Sequence, residues 1–227
     1  METVKVAGAS AAKCGLACVA AVCGIALAGC CLQANPRTGS WHGHPSAWLE
    51  GFVFRVGGYS PKGCDLILCV ELSAEDESAS REVVRALETA PWLAAVRAVV
   101  VVRNGLTERP ADEGAAGAGC AILESVDFVR GGRQPADVQS ALLAALRRAN
   151  DVTGVTPRIL YVPGALREQD GNPISEERAE LVRRIVLAAN YGRVPIDVMP
   201  LHPEQLSWPQ RLFLCRVACE SGGRCLD

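Results

Sequence analysis

Short apolar runs alternate with amphipathic stretches along most of the chain, and this pattern predicts both strands and helices. Six apolar runs are typical of strands, at residues 52–56, 65–72, 96–103, 120–129, 158–162 and 194–199. The run DLILCVEL at residues 65–72 is apolar almost throughout, which indicates a strand covered on both faces. The four consecutive valines at residues 99–102 favour a strand most clearly, because β-branched side chains suit the pleated backbone.

Between these runs, apolar residues recur with the 3.6-residue period of a helix. The four predicted helices begin at Ser73, at Gln134 or Pro135, at Ser175 and near Trp208. A serine hydroxyl can accept the free amides of a first helical turn, so Ser73 and Ser175 are predicted to be N-caps. In the third helix the apolar positions expected to be buried are Leu181, Val182, Ile185, Val186 and Ala189.

The resulting order, β-β-α-β-β-α-β-α-β-α, predicts an α/β fold. Strands that alternate with helices form a mostly parallel sheet with helices on both faces, which gives a single domain of three layers. We expect this domain to span residues 51–227, with residues 104–119, rich in Gly and Ala, as an exposed loop. Residues 33–50 carry several Pro and Gly breakers and are predicted to be a linker.

The N-terminal segment, residues 1–32, contains the longest apolar run of the chain. Residues 14–31, CGLACVAAVCGIALAGCC, are uncharged and follow two lysines, as in a secretory signal. Residues 27–30 also match a bacterial lipobox, whose Cys30 would be acylated. A membrane-spanning helix needs about 18 apolar residues or more, so membrane association through residues 14–31 is a further alternative. The remaining alternative is that this segment is an unprocessed leader or packs as a core helix.

Composition and charge narrow the classes of function. The net charge of −2 argues against direct binding of nucleic acid, which usually requires a basic domain. Five of the 11 cysteines lie in residues 14–31. Of the others, Cys69 and Cys120 lie inside predicted strands, where a thiol acts as a small hydrophobic group. No Asn-x-Ser/Thr glycosylation acceptor is present, and we interpret the chain as intracellular with reduced cysteines.

Motifs for a cofactor or a metal are incomplete. The sequence GGYSPKG at residues 57–63 lacks the Gly-Lys-Ser/Thr end of a phosphate-binding loop, and a turn is favoured. His42 and His44 could hold a metal only with further ligands from cysteines or carboxylates, because the third histidine, His202, is distant in sequence. A solvated linker pair is therefore favoured. Cys215, Cys219 and Cys225 lack the second cysteine pair of a zinc site, which favours a packed or disulfide-linked tail. The sequence therefore predicts no cofactor, metal or catalytic residues.

One enzymatic alternative depends on the ends of the predicted strands. In a parallel sheet, ligands bind beyond the carboxyl ends of the strands. The polar residues expected at that edge are Glu71, Arg103, Asn104 and Asp127. Of these, Glu71, Asn104 and Asp127 would form the site, where a carboxyl group could act as a general acid or base. Loop caps and salt bridges explain the same residues more simply.

Ser73 is a candidate phosphorylation site. It begins the acidic stretch SAEDES, and Asp76 lies three residues on, which is the spacing that an acidophilic kinase recognises. A phosphate at a helix N-terminus would be electrostatically favourable. The alternative is that Ser73 is only an N-cap.

Three stretches carry a resemblance to a known family. They are DLILCVELSAEDESASREVVRALE, AVRAVVVVRNG and RVPIDVMPL, at residues 65–88, 95–105 and 193–201. In order and spacing they resemble the small nuclear phosphoprotein family of alphaherpesviruses, over about residues 60–200. The resemblance implies a non-enzymatic, phosphorylated protein of the host nucleus with protein partners. A basic nuclear localisation cluster is missing, since Arg147-Arg148 and Arg183-Arg184 are pairs on helix faces.

Three functional hypotheses follow from these observations. The first is a viral nuclear phosphoprotein that acts through protein interactions. The second is an exported or membrane-tethered α/β binding domain, with Cys30 as the lipidation site. The third is an α/β enzyme with its site at the carboxyl ends of the strands.

Overall fold

The computed structural model describes residues 46–61, 63–72, 76–103, 106–110, 137–152, 156–166 and 172–226, with backbone only at residues 106–110. Residues 42–227 form one compact unit. The apolar run at 14–31 and most of the predicted linker lie outside the described residues. Within the part described, none of the helices combines the length and the apolar character that crossing a bilayer requires.

Helices and strands alternate through the described chain. The helices are α1 (Ser46–Gly58), α2 (Glu77–Glu88), α3 (Val138–Asp151), α4 (Glu176–Ala189) and α5 (Trp208–Ser221). The strands are β1 (Asp65–Glu71), β2 (Val96–Val102), β3 (Leu106–Pro110), β4 (Pro157–Val162) and β5 (Ile196–Val198). Short 3-10 turns precede β2 at Leu93–Ala95 and α5 at Pro203–Gln205.

The strands form one sheet in the order β3-β2-β1-β4-β5. All neighbours are parallel except β3, which pairs antiparallel with β2 at the edge. The sheet therefore confirms the predicted α/β class. The chain moves from β1 to β2 in one direction and from β4 to β5 in the other. The order thus reverses between β1 and β4, and this reversal is the topological switch point of a doubly wound sheet.

Each face of the sheet is covered by its own layer of helices. On one face, α1 and α2 pack on a cluster that includes Leu66, Leu68 and Val70 of β1. On the other face, α3, α4 and α5 pack on a cluster that includes Ile67 and Cys69. Because successive side chains of β1 enter opposite layers, nearly every position of this strand is apolar.

Polar caps fix the beginnings of the helices. Ser175 Oγ accepts the Arg178 amide at the start of α4, as predicted. Helix α2 is capped by Asp76, whose carboxylate accepts the Ala79 amide at 2.8 Å. Ser73, which was expected to be that cap, lies outside the described residues. The Asp137 carboxylate likewise accepts the Ser140 amide at the start of α3, at 2.8 Å.

The C-terminal residues add a short parallel segment beside β5. The Val198 amide donates to the Arg224 carbonyl, and the Leu226 amide donates to the Val198 carbonyl, both at 2.8 Å. Gly223 lies against the backbone of β5, where a Cβ would be 2.0 Å from the Ile196 carbonyl oxygen. Only glycine fits this approach, and it lets the tail cover the outer edge of β5.

The prediction of a strand at residues 52–56 is wrong, because these residues belong to α1. Their aromatic and β-branched composition favours a strand locally. The buried positions are Phe52 and Val56, four residues apart, while Val53 and Phe54 between them are exposed. This spacing suits one face of a helix, and α1 also includes the last five residues of the predicted linker, 46–50.

Two further expectations need correction. Residues 104–119 were predicted to be a loop, but residues 106–110 form β3, which extends the sheet beyond β2. In α4, Val182 and Val186 are buried as predicted, whereas Leu181 is 47% exposed. The buried stripe is therefore narrower than the apolar pattern indicates. The predicted strand at residues 120–129 and the predicted helix start at Gln134 or Pro135 lie outside the described residues.

Candidate functional site at the switch point

The candidate site lies where β1 and β4 end, beside the switch point of the sheet. Two loops leave this point toward opposite faces, and the gap between such loops is where doubly wound proteins bind ligands. Glu71 is the last residue of β1, and Gly164 follows the end of β4. The predicted candidate Glu71 is therefore at the position that the fold favours for a site.

Glu71 joins the ends of the two strands. Its side chain points to the α3 side of the sheet, where the Tyr161 hydroxyl donates to Oε1. The Gly164 amide donates to Oε2 at 3.2 Å. A Cβ at Gly164 would be only 3.3 Å from the Glu71 carbonyl oxygen, so the loop after β4 passes close to β1. Sheet hydrogen bonds and this acid together hold the two strand ends in register.

Burial raises the pKa of the Glu71 carboxyl group. The hydrogen bonds from Tyr161 and Gly164 lower this pKa in part, and the nearby charge of Asp137 raises it. The pKa of Tyr161 is raised well above its usual value by burial and by the charge of Glu71. In the described part of the chain the donors to Glu71 are neutral, so a proton on this carboxyl group is favoured relative to an exposed glutamate.

A second acid, Asp137, lies at the start of α3. It is only 5% exposed, and its Oδ1 accepts the amide and the hydroxyl of Ser140, at 2.8 and 2.7 Å. Its Oδ2 accepts from the Arg178 guanidinium of α4 at 3.3 Å. Arg178 also donates to Gln139 at 3.1 Å. The cluster therefore ties the first turns of α3 and α4 together.

The four carboxyl oxygens of this cluster are all hydrogen-bonded within the domain. Tyr161 and Gly164 donate to Glu71, while Ser140 and Arg178 donate to Asp137. A protonated Glu71 has the chemistry of a general acid, but both of its oxygens already accept hydrogen bonds from Tyr161 and Gly164. The arrangement is therefore better suited to holding elements together than to presenting an open reactive group.

The sequence identified part of this cluster. Arg103 lies partly buried just after β2, whereas Asn104 and Asp127 are outside the described residues. Tyr161 and Asp137 were missed. A tyrosine inside the apolar run RILYV is a signal for Tyr161, since a buried hydroxyl needs a partner. Asp137 is a strong N-cap type, and its recognition would have placed the start of α3 correctly.

The cysteines and histidines do not form a centre in the described part of the chain. Cys215 and Cys219 are free thiols, and the buried Cys69 thiol donates to the Ala141 carbonyl at 3.7 Å. Cys219 is exposed, while Cys225 packs against the core in the tail beside β5. Within the described ranges, no three His, Cys, Asp or Glu side chains are grouped to hold a metal ion. His202 lies against the Trp48 ring, with 4.4 Å between ring centroids, and His42 and His44 are outside the described residues.

A third buried acid, Asp197 of β5, lies on the α1 side of the sheet and is fully buried. The Tyr59 hydroxyl and the Arg158 guanidinium donate to it at 2.8 Å, as does the Arg224 amide. The Arg224 guanidinium adds an ion pair at 3.5 Å. This network joins the end of α1, β4, β5 and the C-terminal tail.

The outer surface of α4 and α5 carries exposed apolar side chains. Six large apolar residues are exposed in the described chain, and four of them lie on or next to these helices, namely Leu181, Tyr191, Trp208 and Leu212. Ion pairs run along the seam between the two helices. Arg183 bridges Glu180 and Glu220, and Arg216 pairs with the same two acids.

No protein-family model matches the sequence, and no curated protein is similar to it.

Proposed function

We propose that this chain is a non-enzymatic protein of the host cell nucleus that is phosphorylated and acts by binding another protein. This is the function that its resemblance to the alphaherpesvirus small nuclear phosphoproteins implies. The observation that carries the proposal is the outer surface of α4 and α5. The hydrogen bonding of Glu71 and Asp137 at the switch point also supports it.

The surface of α4 and α5 has the composition of a protein-binding region. Tyr191 is 87% exposed and Trp208 is 74% exposed, and these two residue types are common in the energetic centres of interfaces. Isolated exposed apolar residues are normal, but four of the six exposed large apolar residues of the described chain belong to this helix pair or the turn after α4. Leu181 and Leu212 are the other two exposed large apolar residues on this helix pair.

The seam indicates what kind of partner the surface suits. Glu180, Arg183, Arg216 and Glu220 neutralise one another across the two helices. Such a surface offers little net charge to a partner, so binding would depend on apolar contact and hydrogen bonding. We therefore expect a protein partner with an apolar patch, whose binding is only weakly sensitive to salt.

The switch point supports the non-enzymatic assignment. An enzyme of this architecture presents polar groups that converge on an open pocket. Here Glu71 and Asp137 use all four carboxyl oxygens in bonds to Tyr161, Gly164, Ser140 and Arg178. These bonds give both acids a role in the fold that needs no substrate.

Location and modification are tested on the full-length chain. A fluorescently tagged protein should be nuclear, both at full length and without residues 1–32. Its intact mass should equal the full chain plus phosphate, and Ser73→Ala should remove one phosphate. Retention on membranes, or loss of about 29 residues together with an added acyl chain, would instead establish the exported or lipoprotein alternative through Cys30.

Partner binding is tested with matched surface variants. Trp208→Ala combined with Leu212→Ala should abolish cross-links to the partner in cells. Phe54→Ala, which removes an 82% exposed side chain from α1, is the control and should leave the cross-links unchanged. Equal loss in both variants, or no loss in either, would reject the α4–α5 surface as the binding region. Repetition at high salt tests the apolar character of the contact.

The raised pKa of Glu71 at the switch point favours a second candidate, an enzyme or ligand-binding domain with its site at the carboxyl ends of the strands. Thermal unfolding in the presence of nucleotides, sugar phosphates and amino acids tests it. A ligand that raises the Tm of the natural chain but not of Glu71→Gln would favour this function. The absence of any such ligand would favour the interaction protein.

A further inference from the structure

The outward face of α5 carries a stripe of uncharged side chains, which we call the α5 stripe. It consists of Trp208, Leu212, Cys215 and Cys219. Trp208, Leu212 and Cys219 are exposed, and Cys215 is half-buried. At about 100° per residue, the four positions fall within about 60° of one another around the helix. The face of a helix that points away from the core is normally polar or charged, and the centre of this face is neither.

The spacing within the α5 stripe is that of a contact between two helices. Its successive members are four, three and four residues apart, which is the alternation of the two seam positions in a coiled coil. The residues that α5 buries in the domain lie on its opposite side and include Phe213, Leu214, Val217 and Ala218. Helix α5 therefore has two apolar faces, and only one of them packs on the core of its own domain.

The α5 stripe is complementary to an antiparallel copy of itself. When two identical helices pair about a two-fold axis, each residue meets the one at the same distance beyond the midpoint. For a midpoint between residues 213 and 214, Trp208 corresponds to Cys219 and Leu212 corresponds to Cys215. Each large side chain would thus lie against a small one, and facing large and small residues interdigitate without voids or overlap.

The charges beside the α5 stripe do not oppose this pairing. On the side of α4, Arg216 pairs with Glu180 and Glu220, and Glu220 also pairs with Arg183. Identical surfaces repel each other when they present unbalanced charge of one sign. Here acids and bases neutralise one another within each copy, so a second copy can approach.

We propose that the partner of the α4–α5 surface is a second copy of this chain, docked antiparallel along the α5 stripe. The inference rests on the proposed function, because it names the partner of the same surface. A second copy presents the apolar patch that this surface requires of its partner. The contact is isologous, so one stripe supplies both sides of it and closes the assembly at two chains.

Sedimentation velocity of the full-length chain tests the dimer. Leu212→Asp places a carboxylate in the contact, where an unpaired charge is costly, so the dissociation constant of the dimer should rise by at least about tenfold. Phe54→Asp is the matched control, because it introduces the same charge at an exposed apolar position of α1 and should leave the constant unchanged. In the natural dimer, a maleimide should also modify Cys215 and Cys219 severalfold more slowly than in Leu212→Asp, with no such difference at Cys64.

Trp208→Cys tests the antiparallel register. On one helix, positions 208 and 219 are about 16 Å apart, so thiols there cannot form a disulfide within a chain. In the dimer they face each other. An added disulfide reagent, reduced to two thiols as it takes up their two electrons and two protons, should join position 208 of one chain to Cys219 of the other. Peptide mapping identifies this bond, and Phe54→Cys should form none with Cys219.

Three results would overturn the proposal. They are a monomeric natural chain, equal weakening of the dimer by Leu212→Asp and Phe54→Asp, and disulfides from position 208 that avoid Cys219. A monomer whose cellular cross-links to a different protein still depend on Trp208 and Leu212 would overturn this inference and leave the proposed function standing. Circular dichroism reports whether each variant is folded, and Cys219→Asp replaces Leu212→Asp if that variant is not.

Discussion

Asp197 of β5 and Glu71 of β1 are two acids of the same sheet on opposite sides of its switch point, and they differ in what surrounds them. Asp197 is fully buried beside two arginines, a tyrosine hydroxyl and a backbone amide. Within the described residues, Glu71 accepts from two neutral donors, Tyr161 and the Gly164 amide. A guanidinium stabilises the charged form of an acid, whereas burial among neutral groups favours the protonated form. Asp197 is therefore part of a structural ion pair, whereas burial raises the pKa of Glu71.

The largest expected effect comes from removing the charge of Asp197. Asp197→Asn leaves Arg158 partly buried without its carboxylate, and the loss of one partner of a buried ion pair costs about 3–5 kcal/mol. We expect the free energy of unfolding, measured in urea, to fall by that amount. Asp65→Asn is the control, because Asp65 pairs with Arg97 on the surface and should contribute less than about 1 kcal/mol.

A second effect tests how the tail is attached to the Asp197 network. Gly223→Ala places a Cβ at 2.0 Å from the Ile196 carbonyl oxygen, so the tail must move away from β5. We expect a loss of roughly 1–3 kcal/mol, as for other cases of overpacking. Gly57→Ala meets no atom within 4 Å on exposed α1 and should instead stabilise by about 0.5–1 kcal/mol. Loss of stability in both variants would reject a specific role for the tail.

The raised pKa of Glu71 is tested by measuring the free energy of unfolding as a function of pH. A carboxyl group with a raised folded-state pKa binds more protons when folded, so its contribution to stability falls as the pH rises from its unfolded value of about 4.3 toward its folded value. Glu71→Gln has no such titration. The difference in unfolding free energy between the two chains should therefore shift in favour of Glu71→Gln over this window. A constant difference would contradict the assignment of a raised pKa to Glu71.

The smallest expected effect concerns acids on the surface. Arg183 and Arg184 hold the pKa of Glu180 down at about 2 by hydrogen bonds. In Arg183→Gln this pKa should rise toward the usual glutamate value, which NMR titration of the Glu180 carboxyl carbon can follow. The urea midpoint should hardly move, because exposed ion pairs contribute little to stability. An unchanged pKa of Glu180 would show that Arg183 is not its main partner.

The sequence predicted the sheet better than it predicted the site. Runs of valine and leucine identified β1, β2 and β4 because both faces of these strands are buried, and burial leaves a clear apolar pattern. The same apolar pattern led to a wrong prediction of a strand at residues 52–56, which include Phe52 and Val56. There, local composition favours a strand, but packing of α1 on the sheet requires buried residues four positions apart.

The site was only partly predictable, since it depends on which loops meet. Glu71 was placed at a strand end from its position in the chain alone. Its contact with Tyr161, 90 residues away, follows from β1 pairing with β4, and no local pattern reports that pairing. Likewise, Asp137 and Arg178 meet only because α3 and α4 begin at the same edge of the sheet. Contacts of this kind can be predicted only when the strand order of the sheet is known.

The tail beside β5 also affects when the domain can be completed during synthesis. Arg224 supplies both an amide and a guanidinium to Asp197, and these groups leave the ribosome after every helix and strand described above. Until then Asp197 has lost part of its hydration without gaining its last partners, and the edge of β5 is open. The nascent chain should therefore remain a target for chaperones until residue 226 has emerged, even with α5 already made.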